Sequence, residues 1–214
     1  MNTKNIVALL WIACATGLLA NPQGSIVVRG NAAIKESGQV LEVTASDQSV
    51  IDWNRFSIDT GETTRFVQPN AKACVLNRVK GESLSFINGL LEANGKVYLA
   101  NPHGVVIGKE GVIKTAEFAA IAREIEQIAG WEELFSSLET IHFDLKEGRG
   151  IIRHDGLIQA TGCSIEGGRI LLLGSETHVE GRIEATQGEV FVLGEEVVLH
   201  PESTIFVSGE QGGS

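Results

Sequence analysis

Gly156-Leu-Ile-Gln-Ala-Thr161 returns 25 residues later as Gly181-Arg-Ile-Glu-Ala-Thr186. Inside each unit a second run follows, bounded by glycine at both ends: Gly168-Arg-Ile-Leu-Leu-Leu-Gly174, then Gly188-Glu-Val-Phe-Val-Leu-Gly194. Ser203-Thr-Ile-Phe-Val-Ser-Gly209 opens a third unit. Far upstream, Gly89-Leu-Leu-Glu-Ala-Asn94 followed by Lys96-Val-Tyr-Leu99 has the same shape. Short aliphatic and β-branched runs delimited by glycine read as strands. A repeat in the low twenties made of paired short strands is a stack of coils. One coil is too thin to cover its own inner face. At about 25 cal/mol per Å² of apolar burial, only neighbours above and below offset the entropy of ordering it. A leucine-rich horseshoe is the nearest competitor, but its L-x-x-L-x-L-x-x-N signature is absent. The expected fold is all-β: a right-handed parallel β-helix.

Upstream of the repeat the chain keeps the same character. Ser25–Arg29, Val40–Thr44, Thr64–Gln68, Cys74–Val79, Lys96–Leu99 and Val105–Ile107 read as short strands, separated by Gly, Asn-Gly and Asn-Pro turn signals. The first of these are expected to lie outside the coils as extra-helical strands. Residues 114–145 read differently. Phe118, Ile121, Ile125 and Ile128 recur at spacings of three and four, which predicts one face of a helix ending at Gly130, with a second short helix over Trp131–Leu138. The expected organisation is therefore a signal peptide at 1–20, a core at 21–122, an insertion with helical spacing at 123–149, and further coils over 150–214.

The first twenty residues stand apart. Lys4 and the amino terminus precede an uncharged apolar run, Ile6 to Ala20, and polar sequence begins at Asn21. A basic end, a short apolar stretch and a small boundary residue make a secretory signal, with cleavage expected after Ala20. Its removal takes the formal net charge from −10 to −11, because Lys4 goes with it. So acidic a chain argues against a nucleic-acid partner, whose phosphates select basic surfaces. No second long apolar run follows, so no stable membrane span is expected. Of the three cysteines, Cys14 leaves with the signal. Cys74 and Cys163 remain, either as a disulfide or as two buried thiols.

Several motifs follow one another in order: Asn21-Pro22-Gln23-Gly24, Val50-Ile-Asp-Trp53, Phe56-Ser-Ile58, Leu76-Asn77-Arg78-Val79 with Gly81, Gly89-Leu90 with Asn94-Gly95, and Asn101-Pro102-His103-Gly104-Val105. On these the chain resembles the haemagglutination-activity domain, the amino-terminal domain of filamentous-haemagglutinin-like exoproteins of two-partner secretion. The resemblance is strong over residues 21 to about 122. It implies export across the inner membrane and recognition in the periplasm by an outer-membrane β-barrel transporter with POTRA domains. It also implies a β-helix that nucleates folding of an adhesin-like surface or secreted protein. Two positions depart from the family pattern. His103 stands where the family's Asn-Pro-Asn-Gly-Ile has its second Asn, and Val105 replaces Ile. The shorter Asn-Pro-Asn-Leu motif has only a partial counterpart in Gln68-Pro69-Asn70-Ala71.

The residues themselves support a turn at Asn101–Gly104. Proline presets φ, Gly104 takes a positive φ, and the Asn side chain bonds turn amides. The bland reading is a corner that shapes the coil and is read by nothing; the resemblance adds transporter recognition. Ser25–Arg29 and Val40–Thr44 could donate strands to a partner sheet or pair internally as caps. Trp53 and Phe56 read as core rings. A second functional reading makes the domain itself an adhesin for a host-cell glycan or protein. The third is a β-helix polysaccharide lyase or hydrolase. Catalysis has little support: G-x-S-x-G, H-E-x-x-H and phosphate-loop patterns are absent. Asp52 and Asp59 sit beside turn signals, and His103, His142, His154, His178 and His200 are scattered. No catalytic residue, metal ligand or cofactor is assigned.

Overall fold

The computed structural model describes residues 21–125, 135–136, 150–162 and 167–209. The expected signal peptide, Cys163 and most of 123–149 lie outside them. Strands β1 (Ile26–Arg29) and β2 (Ala32–Ser37) precede a first coil made by β3 (Val40–Ala45) and β4 (Ser49–Trp53). The second coil is β5 (Thr63–Val67), β6 (Cys74–Val79) and β7 (Ser85–Ile87). The third is β8 (Leu90–Ala93), β9 (Lys96–Ala100) and β10 (Gly104–Ile107), and the fourth β11 (Val112–Thr115), β12 (Glu117–Ile121) and β13 (Ile151–His154). The fifth is β14 (Leu157–Ala160), β15 (Arg169–Leu173) and β16 (Glu176–Val179), and the sixth β17 (Arg182–Thr186), β18 (Glu189–Leu193) and β19 (Glu196–Leu199). β20 (Thr204–Ser208) begins another coil.

Each coil contributes one strand to each of three stacked sheets. Sheet A runs β2-β3-β5-β8-β11-β14-β17-β20, sheet B β1-β4-β6-β9-β12-β15-β18, and sheet C β7-β10-β13-β16-β19. Ile58 completes sheet C on the first coil through a parallel bridge to Ile87. The coil-to-coil pairing is parallel, and the sequence repeat is the register itself: Ile158 pairs with Ile183, and Ala160 with Ala185. The chain is the parallel β-helix its repeats predict. Two expectations change. The repeat showed two strands per coil, whereas there are three. In Glu176-Thr-His-Val179 the third was hidden because polar Glu176 and His178 take the outer positions and Thr177 an inner one.

The second change concerns Phe118 and Ile121. They lie not on a helix but on β12, paired in parallel with β9 and β15. Their spacing mimics a helical face because every residue of Glu117–Ile121 is buried, so the period-two signal of a half-exposed strand vanishes. Phe118 and Ala120 enter the interior, while Ala119 and Ile121 join a second apolar cluster outside sheet B with Val50, Leu76, Tyr98, Leu171, Ile125 and Phe135. The rest of the helical expectation falls outside the described residues.

The interior is filled by columns of like residues. Leu41, Leu91, Ile113, Ile158 and Ile183 share one column of sheet A, interrupted at the second coil by Thr64, and are essentially fully buried. The glycine that opens each repeat unit sits where successive corners touch. A Cβ on Gly181 would lie 2.3 Å from the Gly156 carbonyl oxygen, and one on Gly156 would lie 2.3 Å from that of Gly111. At the start of the stack, β1 pairs antiparallel with β4 and β2 antiparallel with β3. The expected strand donors Ser25–Arg29 and Val40–Thr44 are thus engaged internally in the folded chain. β3 lies between β2 and β5, and β1 caps sheet B.

Candidate functional site

The Asn101 turn closes the corner between β9 and β10. Gly104 N–H donates to the Asn101 carbonyl at 3.0 Å, and His103 N–H donates to Asn101 Oδ1 at 2.9 Å. These are the β-turn and side-chain turn that Asn-Pro-x-Gly encodes. The side chain also reaches down one coil. Its Nδ2 donates to the Ser83 carbonyl at 2.9 Å and to Ser85 Oγ at 3.0 Å. Asn101 N–H donates up one coil to the Ile121 carbonyl at 3.0 Å. One residue therefore ties three coils, and it is fully buried. Gly104 has φ +120°, and a Cβ there would stand 2.5 Å from the Ile151 carbonyl oxygen, so any other residue collides with the next coil. Val105 points into the core. Only His103 is exposed, with Pro102 half-buried.

The weaker motif positions are built in the same way, at other corners. Gln68 is buried between β5 and β6. Its Nε2 donates to the Ala73 carbonyl at 2.8 Å and the Lys96 carbonyl at 3.1 Å. Its backbone exchanges two hydrogen bonds with the Asn94 side chain, both 2.7 Å. Pro69 leads into a turn in which Asn70 Oδ1 accepts from Lys72 and Ala73 N–H. Asn21 and Pro22 are buried at the start of the stack, where Asn21 Oδ1 accepts from Thr64 Oγ1 at 3.0 Å. Gly24 takes φ +68°. On β6, Asn77 points inward and accepts the Trp53 indole N–H at 2.9 Å. Its neighbour Arg78 points outward, gripping Asp52 with two hydrogen bonds of 2.6 and 2.9 Å and donating to the Ile125 carbonyl. Trp53 and Phe56 meet edge to face at 5.7 Å in the core.

These positions do not converge on one pocket. The Asn101 turn, the Gln68 turn, the Asn21 plug and the Asn77–Trp53 contact occupy different corners and faces. What they share is that each joins neighbouring coils by a buried polar side chain, which must be fully bonded to be tolerated. Sequence reasoning missed their partners Ser83, Ser85 and Asn94. Asn94-Gly95 was visible as a turn, but nothing local marks a residue as the acceptor for a side chain one coil away. Asp52, weighed as a carboxylate of a catalytic pair, is committed to Arg78. Glu117 is held by Arg169 at 2.7 Å, Lys96 at 3.5 Å and the Tyr98 hydroxyl at 3.0 Å. Burial, with Glu117 beside it, pushes the Tyr98 phenol well above its ordinary range. Cys74 is buried on β6.

A family model, the TPS secretion domain, matches residues 18–207. The chain belongs to this family. The family is one of secretion domains of two-partner-secretion exoproteins and not of enzymes. Among curated relatives, a heme/hemopexin-binding protein of Haemophilus influenzae strain Rd is 33% identical over 199 residues, covering 90% of this chain and 22% of the relative. A second Haemophilus influenzae protein of the same description is 35% identical over 136 residues, 60% of this chain and 15% of the relative. The chain thus spans about a fifth of the length of the curated relatives it matches. Among solved structures, the HMW1 secretion domain from Haemophilus influenzae superposes with a TM-score of 0.67 at 28% identity, over 80% of this chain and 45% of that one.

Proposed function

We propose that this domain is the export signal by which a two-partner-secretion exoprotein is recognised in the periplasm, after loss of Met1–Ala20, by the POTRA domains of an outer-membrane β-barrel transporter. The exoprotein then emerges to the cell surface or medium. The family match over residues 18–207 carries the reading. The geometry refines it. In the folded coil Asn101 offers no free polar atom to a partner, because its amide bonds Ser83, Ser85 and the turn. The Asn101–Val105 segment is therefore read before its coil closes, and the closed turn serves the fold. The coil-to-coil pairing supports a nucleating role, since each coil presents to the next the parallel strand edges on which it stacks.

The test is release into the medium of a Gram-negative host expressing residues 1–214, with and without the cognate transporter. Transporter-dependent release of the parent is expected, strongly reduced for Asn101→Ala and unchanged for His103→Ala. Folded parent accumulating in the periplasm beside a working transporter would overturn the export reading.

A further inference from the structure

The outer faces of sheets A and B carry columns of charge that alternate in sign from coil to coil. On sheet A the in-register column reads Lys35, Glu42, Arg65, Glu92, Lys114, then Gln159 and Glu184. Arg65 Nε meets Glu92 at 2.5 Å and its NH1 meets Glu42 at 3.8 Å. On sheet B the column reads Cys74, Lys96, Glu117, Arg169, Glu189. Asp52 faces Arg78 on the same sheet. Among the described residues, every in-register pair of charges on these two sheets joins opposite signs. Sheet C differs, with Glu176 directly beside Glu196, so alternation is not a general consequence of the fold.

We infer that these columns fix the order in which coils stack, by penalising the error in which one coil is skipped. Stacked strands lie about 4.8 Å apart, and their apolar interiors are nearly interchangeable: Leu91, Ile113, Ile158 and Ile183 occupy one column. Apolar packing therefore distinguishes poorly between coil three and coil four as a partner for coil two. Alternating charge does distinguish them, because each skip brings like onto like on one of the two sheets. Coil one on coil three sets Glu42 over Glu92, and coil two on coil four sets Arg65 over Lys114. Coil three on coil five sets Lys96 over Arg169, and coil four on coil six sets Glu117 over Glu189. Each skip is opposed on one sheet, the first two on A and the last two on B. In the last, sheet A would attract through Lys114 over Glu184, but the sheet B repulsion there falls on Glu117, which is buried. Like charges directly opposite on a sheet are destabilising, and low-dielectric surroundings enlarge the effect at the sheet B column.

The experiment refolds the purified chain from denaturant at low and high ionic strength, in a background lacking the native cysteines. Reporter pairs distinguish the registers. Thr63→Cys with Leu90→Cys cross-links only in the correct stacking, where the two are neighbours. Thr63→Cys with Val112→Cys cross-links only when coil three is skipped. A neutral column carries Glu42→Gln, Arg65→Gln, Glu92→Gln and Lys114→Gln. An inverted one carries Lys35→Glu, Glu42→Lys, Arg65→Glu, Glu92→Lys and Lys114→Glu. Parent and inverted chains are expected to give the correct product, and the neutral chain at least about threefold more of the skipped product. High salt should raise the skipped product in the parent and leave the neutral chain unchanged. A neutral column that refolds like the parent, or an inverted one that behaves like the neutral, overturns the inference. No transporter takes part, so failure here leaves the export reading standing, and the reverse also holds.

Discussion

The first three coils and the last two are held together in different ways. In coils one to three, buried polar side chains cross from coil to coil: Asn21 to Thr64, Trp53 to Asn77, Gln68 with Asn94, and Asn101 to Ser85. In coils five and six the interior is chiefly a ladder of Ile158, Ile170, Leu172, Ile183 and Ala185, and beyond it Ile205, Phe206 and Leu199 are exposed among the described residues. The apolar half is regular and tolerates small changes of volume. The polar half is irregular and specific, since each amide leaves two or three stranded groups if removed. The polar half is also where the family motifs lie, which places their first role in shaping the coils.

Breaking the polar half should be most costly at Trp53. Trp53→Ala removes the largest buried ring and strands Asn77 Oδ1. It is expected to cost about 3–5 kcal/mol, read as a fall in the urea midpoint with an unchanged slope. Trp53→Phe keeps most of the packing and should lose less, separating ring from hydrogen bond. Asn101→Ala comes next. It leaves Ser85 Oγ, the Ser83 carbonyl and His103 N–H without their partner, for an expected loss of about 2–3 kcal/mol. Destabilisation below about 0.5 kcal/mol would show that the turn is not a structural clamp.

The same contrast decides what could be read in the sequence. The regular half was legible because Gly156–Thr161 and Gly181–Thr186 are copies and their spacing is the register. The irregular half yielded its strands, but its site only through motifs matched in order, because the partners of Asn101 and Gln68 on neighbouring coils lie 16 to 28 residues away. Trp53 and Phe56 were rightly placed in the core. β12 was misread since burial on both faces removes alternation. The third strand was read in the third coil, at Val105–Ile107, but overlooked where charged and imidazole side chains face outward, at Arg153 and His178.

His154 is a buried polar side chain of another kind, on the fourth coil between the two halves. It is fully buried on β13 in a column with Ile107 and Val179. One ring nitrogen lies 3.2 Å from the Arg182 carbonyl, and Nδ1 is buried without a hydrogen-bond partner. Burial lowers its pKa from 6.5 to about 4, against smaller raising effects from the Arg182 carbonyl and Asp155. The folded chain holds the ring neutral, whereas the unfolded chain protonates it below pH 6.5. Its contribution is therefore intact above that pH and is lost as pH falls towards 4. About 2 kcal/mol should be gone by pH 5. His154→Gln should be flatter than the parent across this window in urea titrations at successive pH values. Parallel curves would place the acid sensitivity elsewhere.

The smallest expected effect gives the sharpest comparison, because it changes only the coil. Ile183 and Ile205 are in-register neighbours in one interior column, yet Ile183 is fully buried and Ile205 is 40% exposed. Ile183→Val should cost about 1 kcal/mol, since the lost methylene leaves a space enclosed by coils on both sides. Ile205→Val removes the same atoms from a site that, among the described residues, has a stacked coil on one side, so its cost should be a few tenths of a kcal/mol at most. The difference measures what one stacked coil contributes to a single interior position. If the two substitutions cost the same, Ile205 is covered in solution by some other surface, and equilibrium sedimentation of the two variants would show whether that surface is a second copy of the chain.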